Sequence, residues 1–568
     1  MTVRGTGGDM ALRLDFPYPS VRVPVFGDAM VATSQPIAAQ AGLAMLARGG
    51  NAVDAALATA ICLTVVEPTM NGVGGDAFAL VWDGSMLHGL NASGAAPEGL
   101  DARALQGLPA MPLTGWPSVT VPGAVSAWAA LSKRFGRLPF ADLFVPAIRY
   151  AVDGFLVPYV VSRHWAMQAG WFVNSPSFAA AFLPGGKAPA CGQRFRNPDL
   201  AHTLDEIART DGESFYRGRL AGEIEAFART DGGALRAADL AAHKAEWVEP
   251  LKQSYAGAMV HELPPNGQGI AALIALGILD RFAGDDRPVD HPDRVHLAIE
   301  ATRLGLSDLH REVAAPGAMR VSPADLLDPA RLTRLAESID PGRTSGLAPK
   351  PGRAEGTVYL AAADREGMMV SLIQSNYRGF GSGLVVPGTG IALHNRGACF
   401  STDPAHPNAV APGKRPMNTI IPGFLSAPDG RPLAAFGVMG GAIQAQAHVQ
   451  VVTQLMDRAL QPQAALDAPR WRLSDDGSLM LRIGGTSCNA CRNGRTRPAR
   501  GRSSCGWKTG MSVPVTVAGT GSSLLNEATK AGLPVRGAGT FSAILCGWPV
   551  AIEPRASPAS PVKARHNG

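Results

Sequence analysis

Charge, aromatic rings and cysteine are all scarce in this sequence. Only 17 % of the 568 residues are charged and 6 % are aromatic, while 46 % are hydrophobic. A chain so apolar buries a sizeable core, which excludes disorder as its overall state. The 7 cysteines are odd in number and sparse, which does not suggest a disulfide framework. Cys488-x-x-Cys491 has the spacing of half a zinc site, but no second Cys/His pair follows at a suitable distance, so coincidental thiols are the better reading. Long apolar runs are missing too. Met1–Pro36 holds none of signal-peptide length, and the apolar stretch Ala52–Val66 is short and is bracketed or interrupted by Asn51, Asp54 and Glu67. It reads as a buried helix rather than a membrane span. The expectation is a soluble cytoplasmic protein, with a periplasmic one second.

Glycine (66) and proline (45) are plentiful, as in a compact, turn-rich enzyme longer than one ordinary domain. The net charge of +6 hints at nucleic acid, but its placement removes the hint. From Leu481 onward there are 12 Lys+Arg against 2 Asp+Glu, leaving 40 against 44 in residues 1–480. The body is mildly acidic and the basicity belongs to a tail.

Apolar spacing predicts a helix over Ile37–Arg48, stopped by Gly49-Gly50, and a second from Ala52 to about Val66, capped by Asn51 and ended by Pro68. The loop Asn71-Gly72-Val73-Gly74-Gly75-Asp76 lacks dinucleotide-loop spacing and reads as tight backbone packing before a strand at Ala77–Trp82. Residues 120–330 read as mainly helical. Asp340–Glu355, rich in Pro and Gly, reads as an exposed flexible linker. The pattern then switches to period two: strands at Thr357–Ala363 and Met368–Gln374, joined by a turn at 364–367 and followed by the glycine-rich loop 379–383.

A threonine that starts a strand after an exposed linker has a chemical use. Its hydroxyl needs a base, and a cut just before it would free an α-amine with a pKa of about 7.7–8.0, partly neutral at working pH. Taken alone, however, Thr357 reads as an ordinary β-favouring strand residue.

The wider pattern reverses that judgement. Ala38-Ala39-Gln40-Ala41-Gly42-Leu43, Gly49-Gly50-Asn51-Ala52-Val53-Asp54-Ala55, the Asn71–Asp76 loop, Val121-Pro122-Gly123, Gly381-Ser382-Gly383, Val386–Ile391, Pro412-Gly413-Lys414-Arg415-Pro416 and Met439-Gly440-Gly441 occur in one order. From about Val31 to about Leu473 the chain resembles the γ-glutamyltranspeptidase family of N-terminal-nucleophile hydrolases. The resemblance implies a mixed α/β (α+β) fold, a four-layer αββα sandwich built from two chains cut from one precursor. The cut would fall between Gly356 and Thr357, giving a large chain 1–356 and a small chain 357–568 that associate as a heterodimer. Thr357 would be the nucleophile, Ser375 its hydrogen-bonding partner in place of the usual threonine, and Gly440 and Gly441 the oxyanion-hole glycines. Arg396, Tyr377, Asn418 and Thr419 are the candidate substrate-binding residues. No metal or organic cofactor is called for, because the freed amine supplies the base. The expected partners are a small acyl amide and a water or amine acceptor, with neither nucleic acid nor membrane.

The sequence departs from the family's usual pattern where substrate is read. The segment Asn91–Pro97 lacks the Arg that usually holds a γ-glutamyl α-carboxylate. Cys399 replaces the Asp that holds the α-ammonium, Arg396 stands three residues earlier, and Thr357-Val358-Tyr359 replaces Thr-Thr-His. Losing an anion and gaining a cation disfavours an ammonium, whereas an arginine still suits a carboxylate. The competing placement has Arg396 facing solvent or paired with an acid such as Asp403. The pattern resembles the acylase branch, which includes cephalosporin acylases that remove glutaryl side chains. The expected activity is therefore an autoprocessing amidohydrolase and acyltransferase on glutaryl or γ-glutamyl amides. An ordinary γ-glutamyltranspeptidase acting on glutathione is the alternative, and a non-maturing, non-catalytic member is the third. The tail, atypical from about residue 481, reads as a shifted reading frame, a basic arm for an acidic partner, or a divergent extension.

Overall fold

The computed structural model describes residues 23–172, 175–285, 287–346, 356–474, 478–483, 486–488, 516–519 and 542–547. Cys491 and residues 347–355 of the linker lie outside them, as does most of the tail. Two mixed-in sheets carry the fold. The first runs Thr516–Gly519, Met30–Thr33, Val358–Ala363, Met369–Ser375, Asp76–Trp82, Leu87–Asn91, Glu246–Val248, antiparallel throughout. The second runs Ser542–Gly547, Pro432–Met439, Pro422–Ser426, Ala258–Glu262, Leu251–Tyr255, with its first pair parallel and the rest antiparallel.

The alternation of side chains along the strands shows what each face meets. Along Val358–Ala363, Val358, Leu360 and Ala362 join a cluster with the helices Pro36–Ala47 and Ala52–Val66. Tyr359, Ala361 and Ala363 point the other way, into a cluster shared with Phe424, Ala435 and Met439 of the second sheet. The opposite face of that second sheet, through Ala434, Phe436 and Val438, packs on the helices Gly269–Asp280 and Ile443–Met456. A polar stitch crosses between the sheets: the Tyr359 and Ser371 hydroxyls lie 2.9 Å apart, and Ser371 Oγ donates to the Phe436 carbonyl at 3.2 Å.

The helix signals hold to within a residue or two. Gln35 caps Pro36–Ala47, and Asn51 and Asp54 form a reciprocal capping box at the start of Ala52–Val66. All fifteen residues of Ala52–Val66 are buried, which explains its apolar run: it is wrapped on every side by protein. Among the described residues no helix is long and apolar enough to cross a membrane. Gly42 permits the close crossing of these two helices, since a Cβ there would lie 2.7 Å from the Ala55 carbonyl oxygen.

The region 120–330 is mainly helical, with a short strand pair at Phe155–Leu156 and Arg194–Phe195 and three more strands within Glu246–Glu262. Ala256 and Gly257, both at positive φ, form the two-residue turn of its hairpin. The described part of the linker, 340–346, is exposed, yet Thr344 and Ser345 both donate to Glu300.

Candidate active site

Thr357 stands just before the strand Val358–Ala363, and Ser375 ends the neighbouring strand Met369–Ser375. Their ladder pairs Val358 with Gln374, so the next step brings Thr357 and Ser375 together. Thr357 Oγ1 lies 3.1 Å from Ser375 Oγ, and both side chains are buried. Ser375 Oγ donates in a short hydrogen bond to the Gly356 carbonyl and accepts the Tyr377 N–H at 2.8 Å. A hydroxyl has one proton. With Ser375's proton on the Gly356 carbonyl, Thr357 is the donor in the bond between the two hydroxyls. The hydroxyl of Thr357 and the carbonyl just before it thus share one partner. Gly356 itself is held at φ +147°, and a Cβ there would lie 2.5 Å from the Gly379 nitrogen. Only glycine fits.

On the other side of Ser375 the ladder sets Asp76 opposite it. Asp76 is buried and collects the substrate-binding candidates. Arg396 Nε lies 3.2 Å from Asp76 Oδ2, and Asn418 Nδ2 donates to the same oxygen at 3.1 Å. Arg396 Nη1 donates to Thr419 Oγ1 at 2.9 Å, and its guanidinium stacks 4.8 Å from the Tyr377 ring centroid. His394 Nδ1 stands 3.5 Å from Asp76 Oδ1. Burial alone would raise the Asp76 pKa, but His394 and Arg396 outweigh it and hold the carboxyl below its usual range. Burial pushes the Cys399 thiol up against the opposing pull of Arg396, whose Nη1 is 3.8 Å from the sulfur. Burial likewise pushes the Tyr377 hydroxyl well above its usual value.

Arg396 is therefore neither at the surface nor paired with Asp403, which is exposed. It is fully buried, partnered by Asp76, and among the described residues its Nη2 has no hydrogen-bond partner. The charge that sequence reasoning gave to the pocket is largely balanced by that carboxylate. Asp76 closes the loop Asn71–Asp76, whose glycines do pack tightly: a Cβ on Gly74 would meet the Ala392 carbonyl oxygen at 2.3 Å. That motif concealed the acid, because its glycines draw attention to the backbone.

Gly440 and Gly441 follow the strand Pro432–Met439, both at positive φ (+126° and +67°). Gln268, buried and absent from the sequence-derived candidates, joins this end to the rest. Its Nε2 donates to the Gly441 carbonyl at 2.9 Å and to the Thr419 carbonyl, and its backbone N–H donates to the Asn418 carbonyl at 3.0 Å. Gly356, Thr357, Ser375, Tyr377, Arg396, Asn418, Thr419 and Gly441 thus form one connected set, with Gly440 next in the chain. Among the described residues no group of three or more His, Cys, Asp or Glu is placed to hold a metal ion.

Comparison with known proteins places the chain among relatives. Residues 38–476 match the family model described as "Gamma-glutamyltranspeptidase". The "Glutathione hydrolase-like YwrD proenzyme" of Bacillus subtilis is 36 % identical over 454 residues, covering 78 % of this chain and 84 % of that protein. The "Oxamate amidohydrolase proenzyme" of Klebsiella pneumoniae is 36 % identical over 467 residues, 80 % of this chain and 87 % of that one. Among solved structures, a cephalosporin acylase from Bacillus halodurans superposes with a TM-score of 0.76 at 47 % identity, covering 82 % of this chain and 88 % of that chain.

Proposed function

The chain belongs to the γ-glutamyltranspeptidase family, and from that premise we propose that it is a self-processing N-terminal-threonine amidohydrolase and acyltransferase of the acylase branch. The observation that carries this is the shared partner at the cut: Thr357 Oγ1 is 3.1 Å from Ser375 Oγ, which itself holds the Gly356 carbonyl. Thr357 Oγ attacks that carbonyl, the Thr357 nitrogen leaves, and the resulting Gly356 ester is hydrolysed by water. The products are a Gly356 carboxylate and a Thr357 α-amine. The relatives' names as proenzymes agree with such a cut. The clusters on either side of the first sheet and beyond the second support the four-layer αββα arrangement that this family reading implies.

In the processed enzyme the Thr357 amine takes the hydroxyl proton as Oγ attacks a substrate amide. The backbone N–H groups of Gly440 and Gly441 receive the developing oxyanion, and the departing amine carries the proton away. Water or a second amine then takes the acyl group from Thr357. The acyl group we favour has a carboxylate and no α-amine, as a glutaryl group does. Its carboxylate would take Arg396 Nη2, which is buried and has no hydrogen-bond partner among the described residues, and the Thr419 hydroxyl. An α-ammonium would find the neutral thiol of Cys399 where a carboxylate acceptor is needed.

Purified protein run on a denaturing gel tests the core of this. Two bands are expected, with the smaller beginning at Thr357 on N-terminal sequencing. Thr357→Ala should remain one band and lose activity; normal cleavage of that variant would refute the assignment. Rates on glutaryl and γ-glutamyl p-nitroanilides separate the acylase reading from an ordinary γ-glutamyltranspeptidase, and a strong γ-glutamyl preference would overturn the pocket argument.

A further inference from the structure

The scissile Gly356 lies against a second arginine that the chemistry above leaves unused. A Cβ on Gly356 would stand 3.2 Å from the Arg378 Cα and 2.5 Å from the Gly379 nitrogen. The Arg378 backbone is fixed by its N–H on Asn395 Oδ1 at 3.0 Å. Its guanidinium lies over the ring of Trp171, 4.7 Å from the centroid, and Trp171 is 40 % exposed. Trp171 follows the helix Tyr159–Ala169 and reaches the same loop: a Cβ on Gly379 would meet Gln168 Oε1 at 2.9 Å and the Trp171 ring at 3.2 Å. Arg378 is half-buried, and among the described residues its Nε has no hydrogen-bond partner and its guanidinium meets no carboxylate.

Tyr377 therefore separates two arginines of different kinds. Arg396 sits on its ring, sealed from solvent and balanced by Asp76. Arg378, the next residue, meets no carboxylate among the described residues and lies beside a half-open tryptophan. The acyl half of a substrate goes to the sealed side. The amine half must arrive from and return to water, and the partly open side next to Gly356 is that of Arg378 and Trp171. A stacked guanidinium with unused N–H donors suits a carboxylate, and the indole face suits the apolar body that carries it.

We propose that Arg378, stacked on Trp171, binds a carboxylate on the amine half of the substrate, so that the enzyme selects carboxylate-bearing amines as leaving groups and acyl acceptors. The proposal rests on the amidohydrolase reading and adds the selectivity of its outer half. Two substrates isolate it: glutaryl p-nitroanilide and glutaryl 3-carboxy-4-nitroanilide share their acyl group, and the second adds a ring carboxylate. KM is measured on each for mature wild type, Arg378→Ala, Arg378→Lys and Trp171→Ala, normalised to the small chain seen on a gel. The ratio of KM for the carboxylated anilide to KM for the plain one should rise about ten-fold in Arg378→Ala, the scale of one hydrogen bond to a charged group. Arg378→Lys should recover part of that change, because it keeps the charge and loses the fork. Trp171→Ala should move the ratio in the same direction while leaving residue 378 and the cut site intact, so poor maturation of Arg378→Ala would not shield the proposal. An unchanged ratio in the variants that mature overturns it. Wild type that matures yet hydrolyses neither anilide refutes the amidohydrolase reading itself.

Discussion

The buried pair of Asp76 and Arg396 makes the sharpest energetic prediction. Both side chains are sealed from solvent, with Nε 3.2 Å from Oδ2. Unit charges about 4 Å apart attract by about 4 kcal/mol at an effective dielectric of about 20, and each charge has given up its hydration to be there. Removing one partner should therefore cost about 3–5 kcal/mol, because the other is left buried and unbalanced. Asp76→Asn leaves the guanidinium in that state. Arg396→Gln leaves the carboxylate with only Asn418 and His394. The double variant has neither charge, so its loss should fall short of the sum of the single losses by at least about 2 kcal/mol. Urea unfolding followed by tryptophan fluorescence measures this, with every variant built on Thr357→Ala so that each is one uncut chain. Losses that add to within about 0.5 kcal/mol would show the two groups to be independent and refute the reasoning. The pair also sets an acid limit. The Asp76 pKa is lowered in the folded protein, so its contribution is complete above the ordinary carboxylate value of 3.8 and disappears as pH falls through the lower folded value.

Three further outcomes follow from other contacts. Ser375→Ala removes the donor on the Gly356 carbonyl and should slow conversion of precursor to two bands by about 100-fold, with Ser375→Thr close to wild type; cutting of the alanine variant at the normal rate would remove Ser375 from the mechanism. Glu67 is buried, and burial pushes its pKa up to about 7 against a hydrogen bond from Ser34. The folded state then holds a proton that the unfolded state lacks between about pH 4.5 and 7, so stability falls as pH rises through that window and levels off above it. Glu67→Gln should gain about 3 kcal/mol on wild type between pH 5 and pH 8, and parallel melting curves at the two pH values would contradict this. A Cβ on Gly437 would meet the Tyr359 ring at 2.2 Å between the sheets, so Gly437→Ala should cost about 1–3 kcal/mol in thermal or urea unfolding.

What could be read in advance was what short stretches of chain decide. Asn51 caps a helix through atoms two and three residues away, and the period-two run from Thr357 announces a strand whatever it pairs with. Ser375 was named by the family resemblance, and the tight turn that fixes its ladder sets it beside Thr357. The partner of Arg396 was not so named. Asp76 is 320 residues distant and arrives only because its strand is registered against the far side of Ser375. Gln268 was missed for a related reason: it acts through backbone carbonyls of residues 151 and 173 positions away, and carbonyls carry no residue-specific signal. The hairpin 251–262 escapes a reading of 120–330 as mainly helical because helices flank it on both sides in the chain.

Each sheet draws strands from both sides of residue 357, with a consequence for the enzyme's lifetime. Val358–Ala363 pairs with Met30–Thr33, Met369–Ser375 with Asp76–Trp82, and Pro422–Ser426 with Ala258–Glu262. Each of these ladders joins a strand from before residue 357 to one from after it. A cut at that point would leave both sheets whole, and dilution would have no separable face to open. It would, however, abolish the covalent tether that brought those strands together. Refolding after a global opening would become a meeting of two incomplete molecules, dependent on concentration and exposed to aggregation. The processed protein would thus persist by the slowness of its unfolding rather than by a balance it can re-establish, and its working life would be governed by a rate.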